Sequence, residues 1–161
     1  MPGHPQLTQQ SWLALVNSGN IRYVTQPAAA AGIAMVSDNA AAAWAWAAYV
    51  QIVAAATITD PSWLCGIHID TAAVEHHNGD LAIASGGAGV EVDLAIFPYR
   101  GLFTGATAVL AAMPVNPGAV FLPFPIRMGG APRLAGRIRK STAASLAGVT
   151  LKVVLGTAVG T

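Results

Sequence analysis

The stretch Val90-Glu91-Val92-Asp93-Leu94-Ala95-Ile96-Phe97 decides the fold class. Branched apolar residues stand at every second position, with Glu91, Asp93, Ala95 and Phe97 between them. A period of two belongs to a strand, whose side chains alternate between the two faces of a sheet. The pattern predicts a half-buried strand with Val90, Val92, Leu94 and Ile96 on its core face. Just upstream, Gly86-Gly87-Ala88-Gly89 is a turn signal, and Asp80 to Ser85 reads as a short strand leading into it.

The same test extends in both directions. Trp63, Cys65, Ile67 and Ile69 alternate with Leu64, Gly66, His68 and Asp70, which makes a strand after the Asp60-Pro61-Ser62 turn. From Trp44 to Ile58 the even positions are apolar, which predicts a long strand joined to the next by a hairpin. On this reading Trp44, Trp46 and Trp63 lie on core faces. Pro98 to Gly118 reads as a long excursion, interrupted by Gly101, Gly105, Pro114 and Pro117. Ala119 to Arg127 carries Pro123 and Pro125 and is expected at a sheet edge, because proline donates no ladder hydrogen bond. In Arg133 to Ser141, Leu134 and Ile138 face one way and Arg133, Arg137 and Arg139 the other. Val149, Leu151, Val153 and Leu155 close the series.

With weaker signals at 21–25 and 32–37, these segments make about eight strands and no helix of the crossover kind. That spacing predicts an all-β fold, an antiparallel β-sandwich or jelly roll over residues 21–161. Residues 1–20, with Pro2, Pro5, Gln6, Gln9 and Gln10, read as an extended N-terminal arm ordered by a neighbouring subunit. Trp12, with Leu13 and Leu15, is its expected intersubunit anchor.

Composition narrows the function classes. The chain has 161 residues, of which 54% are hydrophobic and 9% charged, against about a quarter charged in ordinary soluble domains. Such a surface is either unusually neutral or covered by partners. Asn39 to Thr59 is uncharged and long enough to span a bilayer, but it is alanine-rich, contains Gln51 and has no flanking basic cluster; no membrane partner is expected. The N-terminus lacks the features of a secretory signal. Net charge is +1, yet all seven acids lie between Asp38 and Asp93, whereas Arg100 to Thr161 carries seven bases and no acid. The halves are complementary, within the fold, between subunits or toward an acidic partner. Only Arg133 to Lys140 is densely basic, too short a stripe for nucleic acid.

No residue pattern argues for catalysis. Cys65 is the single cysteine and sits in an apolar strand, as a small buried hydrophobe does. His68, Asp70, Glu75, His76, His77 and Asp80 form the densest polar cluster, but adjacent His76 and His77 point to opposite faces of a strand and do not share an ion easily. The Gly86–Gly89 run lacks the lysine and following helix of a phosphate loop. The expectation is a protein that is not an enzyme and holds no cofactor or metal.

One resemblance bears on function. The segments Trp46 to Ala54, Trp63 to Ile69, Asp80-Leu81-Ala82-Ile83-Ala84-Ser85-Gly86-Gly87-Ala88-Gly89-Val90-Glu91, Phe121-Leu122-Pro123-Phe124-Pro125-Ile126-Arg127 and Pro132 to Arg139 follow one another as in small β-sandwich virion proteins of tailed bacteriophages. There the pattern is Asp-x-x-Ile-Gly-x-Gly-x-x-Gly-x-Glu, then Phe-Pro-x-x-Ile, then Arg-Ile-Ala-x-Arg. The likeness spans residues 44 to 156. It departs at Ala84-Ser85, where a glycine is usual, and at Met128 to Pro132, where the turn is usually shorter.

The resemblance implies a capsid decoration or cement protein, made in the host cytoplasm and placed on the capsid surface over joints between major capsid subunits. A homotrimer is expected, because a threefold lattice point presents three equivalent surfaces. Arg133, Arg137, Arg139 and Lys140 are the expected docking surface. The alternative is a head-spike, tail or fibre module binding host-surface carbohydrate, favoured by exposed aromatic rings beside polar groups in the 98–118 loop.

Overall fold

The computed structural model describes residues 14, 16–17, 19–28, 32–35, 43–58, 62–71, 77–102, 119–128, 132–141 and 149–158. Nine strands run through them: β1 (Ile21–Gln26), β2 (Ile33–Met35), β3 (Val50–Val53), β4 (Ser62–Thr71), β5 (His77–Ser85), β6 (Val92–Leu102), β7 (Ala119–Met128), β8 (Leu134–Lys140) and β9 (Val149–Ala158). They form two antiparallel sheets. One has five strands in the order β1-β9-β4-β7, with β2 also on β9; the other has four, in the order β3-β8-β5-β6. After β2 every connection except the β5–β6 hairpin crosses between sheets, which is jelly-roll connectivity. The all-β sandwich expected from the spacing is what the chain forms.

The inner faces of both sheets supply one core. Leu64 and Ile67 of β4, Leu81 and Ile83 of β5, Leu134 and Ile138 of β8, and Leu151, Val153 and Leu155 of β9 are all buried within it. Alternate residues on these strands point outward, so each sheet also has an outer face. Behind β4 and β9, on the outer face of the five-stranded sheet, Trp63, Cys65 and Val154 make a second small buried cluster.

The β6 register departs from the sequence pattern. Val90 is 70% exposed, Val92 67% and Ile96 51%, while Phe97 is buried at 5%. Ile83 pairs with Ala95 but Ala84 pairs with Asp93, so Leu94 is an extra residue opposite no partner. This bulge switches the alternation midway: Ala95 and Phe97 face the core, and Asp93 and Ile96 face out. A strict period-two reading assumes an unbroken ladder, and β6 is an edge strand, where bulges are common.

The long strand expected over Trp44 to Ile58 is also corrected. Only Val50–Val53 is a strand; Trp44 and Ala56 both have φ of 63°, incompatible with a continuous ladder. Alanine has no strong preference for either face, so a run of alternating alanines mimics strand periodicity without specifying a strand. Nor does a hairpin join this segment to β4, since β3 and β4 belong to different sheets.

The proline-bearing strand is placed as its chemistry requires. β7 is the edge of the five-stranded sheet. Its pairing with β4 jumps from Leu64↔Ile126 to Gly66↔Phe121, so Leu122, Pro123, Phe124 and Pro125 lie opposite Cys65 alone. Glycine at position 66 is required by this close approach: a Cβ there would lie 2.2 Å from the Val120 carbonyl oxygen.

Candidate functional site

The outer face of the four-stranded sheet carries the densest polar chemistry among the described residues. In β8 the even residues Leu134 and Ile138 point into the core, which turns Arg137 and Arg139 outward. β5 lies beside β8, with Asp80 opposite Arg139 and Ala82 opposite Arg137. β6 follows, and its bulge brings Asp93 onto the same face. Arg139 donates from Nε and Nη2 to Asp80 Oδ2, each at 2.7 Å. Arg137 Nη2 meets Asp93 Oδ2 at 2.5 Å.

On the far side of β8 runs the irregular segment before β3. Trp44 N–H donates to the Lys140 carbonyl at 2.8 Å and Ala47 N–H to that of Ile138 at 2.9 Å, so the segment follows β8 without becoming a strand. Its aromatic rings lie against the arginines. Arg139 is 5.9 Å from the Trp44 ring centre and 4.5 Å from that of Trp46. Arg137 is 4.6 Å from Trp46 and 4.4 Å from Tyr49. Tyr49 closes the network by donating to Asp93 Oδ1 at 2.8 Å. Partial burial and this bond raise the Tyr49 pKa above its ordinary value.

The ladder extends to the β5–β6 hairpin. Arg133 donates to Gln51 Oε1 at 3.2 Å, to the Gly86 carbonyl at 2.8 Å and to Glu91 Oε1 at 3.0 Å. Glu91 also accepts the Gly89 N–H at 2.8 Å. Hydrogen bonds from its own N–H, Arg133 and Gly89 hold the Glu91 carboxyl below the usual carboxylate range, against a smaller opposing effect of burial. Gly86, at φ 134°, is the residue this turn needs, since a Cβ would meet the Val90 carbonyl at 2.7 Å.

Two tryptophans expected in the core are thus on the surface. Trp46 is partly buried between arginines and polypeptide, whereas Trp44 is 45% exposed. The left-handed backbone of Trp44 costs about 1–2 kcal/mol for any residue with a Cβ. Its contact with Arg139 lies near the ~6 Å limit of cation–π attraction, where an exposed pair contributes about 0.5–1 kcal/mol at most. The contact with Arg139 therefore does not offset the backbone strain.

The remaining expected site residues fall in three groups. Arg133, Arg137 and Arg139 hold the chain's own carboxylates, and the Lys140 side chain is buried at 1% exposure. Lys140 shares the core-facing parity of Leu134 and Ile138, so these four residues do not make one basic outer surface. Trp12, Leu13 and Leu15 lie outside the described residues, as do His76 and most of the 98–118 excursion. Among the described residues no three His, Cys, Asp or Glu side chains converge on a metal position. Trp63 is buried at 3% and Cys65 at 2%, and burial pushes the Cys65 thiol up to about 11, far from a reactive thiolate.

Trp44, Trp46, Tyr49, Asp80, Glu91 and Asp93 complete the site; the sequence reading placed Trp44 and Trp46 in the core and Asp80 in the His-rich polar cluster, and gave Tyr49, Glu91 and Asp93 no site role. A signal for them existed. Glu91 and Asp93, Trp44 and Trp46, and Arg137 and Arg139 all repeat at i, i+2, which puts each pair on one side of an extended segment. No helix among the described residues is long and apolar enough to cross a membrane. Comparison of the chain with protein-family models, with curated proteins and with solved structures gave no match.

Proposed function

We propose that this chain is a virion structural protein of the capsid decoration or cement type, assembling with copies of itself as a trimer and binding over joints of the major capsid lattice. The observation that carries this reading is the edge strand β7, where Val120, Phe121 and Phe124 are 46%, 58% and 63% exposed. Large apolar side chains on an ordered edge favour burial by a partner. The prolines and the bulge of β7 oppose open-ended strand addition, so association there proceeds through side chains and closes at a fixed number of subunits.

Charge supports the same conclusion. Arg133, Arg137 and Arg139 are neutralised within the chain, and little charge is left to keep neighbours apart. In this reading the assembly surface is the apolar margin of the five-stranded sheet, with Tyr23 of β1, 55% exposed, at its other border. The jelly-roll sandwich matches the sandwich implied by the resemblance to phage virion proteins. The test is copy number: quantitative staining of purified particles beside the major capsid protein is expected to give hundreds of copies. A few dozen would place the chain at a tail or vertex, and absence from particles would overturn the proposal.

A further inference from the structure

We propose that Trp44 and Arg139, held in place by Asp80, form a binding site for a neutral saccharide. The inference does not depend on the particle reading, because it rests on the opposite sheet. Trp44 is 45% exposed on a backbone at φ 63°, where glycine is the unstrained choice. The Arg139 contact does not offset that strain, the N–H bond to Lys140 holds the backbone in it, and strained residues held by their surroundings concentrate at ligand sites.

The surrounding chemistry selects the ligand class. An exposed indole offers a flat apolar surface to the C–H face of a pyranose ring. Arg139, with its side chain 34% exposed, commits Nε and Nη2 to Asp80 and lies over the same indole at 5.9 Å, so an aromatic ring and a guanidinium donor stand side by side. Asp80, 10% exposed, fixes the guanidinium and cancels its charge, so the site does not favour an anionic ligand. Trp46 lies 4.5 Å from the same guanidinium and holds it from another side, so the donor is pre-organised before any ligand arrives.

The test is a panel of neutral saccharides ending in glucose, galactose, mannose or N-acetylglucosamine, read by indole emission and by saturation-transfer NMR on the intact chain. At least one terminal sugar is expected to bind, and Trp44→Gly is expected to weaken that binding at least about tenfold. Because glycine accepts φ 63° freely, Trp44→Gly is also expected to leave the thermal midpoint unchanged or raise it. Absence of binding across the panel at about 10 mM sugar overturns the proposal. So does a fall in the thermal midpoint of Trp44→Gly, which would mean that the indole holds the fold instead of facing a ligand.

Discussion

On the outward face of the four-stranded sheet, Arg137 and Arg139 each meet a carboxylate and two aromatic rings, while on the outward face of the five-stranded sheet Trp63, Cys65 and Val154 pack with one another and Phe121 and Tyr23 stand exposed at the margins. The difference teaches where a chain with 9% charged residues spends its charge. Six of its fifteen acidic and basic side chains are used in three ion pairs on one side of the sandwich. That side is cross-linked by charge, although Val92, Ile96 and Trp44 stand exposed on it. The other side relies on apolar packing, and its margins expose apolar surface to whatever adjoins them.

The largest expected effect falls on the apolar side. Trp63→Ala removes a buried indole from the small outer cluster and should lower stability by about 3–5 kcal/mol in urea unfolding. Arg137→Ala should cost less, about 2–3 kcal/mol, because it strips the charge partner from Asp93 and a stacking partner from Trp46 and Tyr49 at a site still in partial contact with water. Salt separates the two. Raising ionic strength should shrink the Arg137→Ala effect and leave that of Trp63→Ala unchanged. Equal salt dependence would mean that the two faces are not held by different forces.

Next in size is the acid response of the β5–β6 hairpin. The Glu91 carboxyl is held below its ordinary value, so its contribution is complete above the unfolded value near ~4.3 and disappears as pH falls through the lower folded value. Glu91→Gln should therefore be less stable than the parent at neutral pH and converge with it once both are below that window. Amide exchange at Gly89, whose N–H bonds to Glu91, gives a local reading of the same loss.

The fold class was legible because the core strands β5, β8 and β9 obey period two without interruption at their core-facing apolar residues, whereas β4 shifts register at Cys65 so that Leu64 and Ile67 both reach the core. Edge elements were legible only where chemistry marked them, as Pro123 and Pro125 marked β7. At β6 the pattern was clear yet misleading: Leu94 packs against the core as the alternation expects, but it bulges, and Val90, Val92 and Ile96 are exposed. The ladder was half legible. The segregation of acids from bases announced a pairing, and β8 was split correctly into an apolar and an arginine face. Which acids pair with which bases depends on strand order, which no local pattern encodes, and the aromatic rings come from a segment whose alanine alternation resembled a strand. Trp44 was assigned to the core because large apolar side chains usually belong there; its positive φ is a backbone property invisible in composition.

The two sides of the sandwich use different forces, ion pairs on one and apolar packing on the other, and self-association is proposed through the exposed margin of the second. The most direct test is the solution mass of the chain and of a Phe121→Ser, Phe124→Ser double variant, measured by light scattering over a range of concentrations. Both side chains are more than half exposed, so the monomer should lose no more than about 0.5 kcal/mol of stability. A trimer is expected for the parent chain and a folded monomer for the variant. A parent that stays monomeric at every concentration, or a variant that remains trimeric, would contradict the proposed self-association.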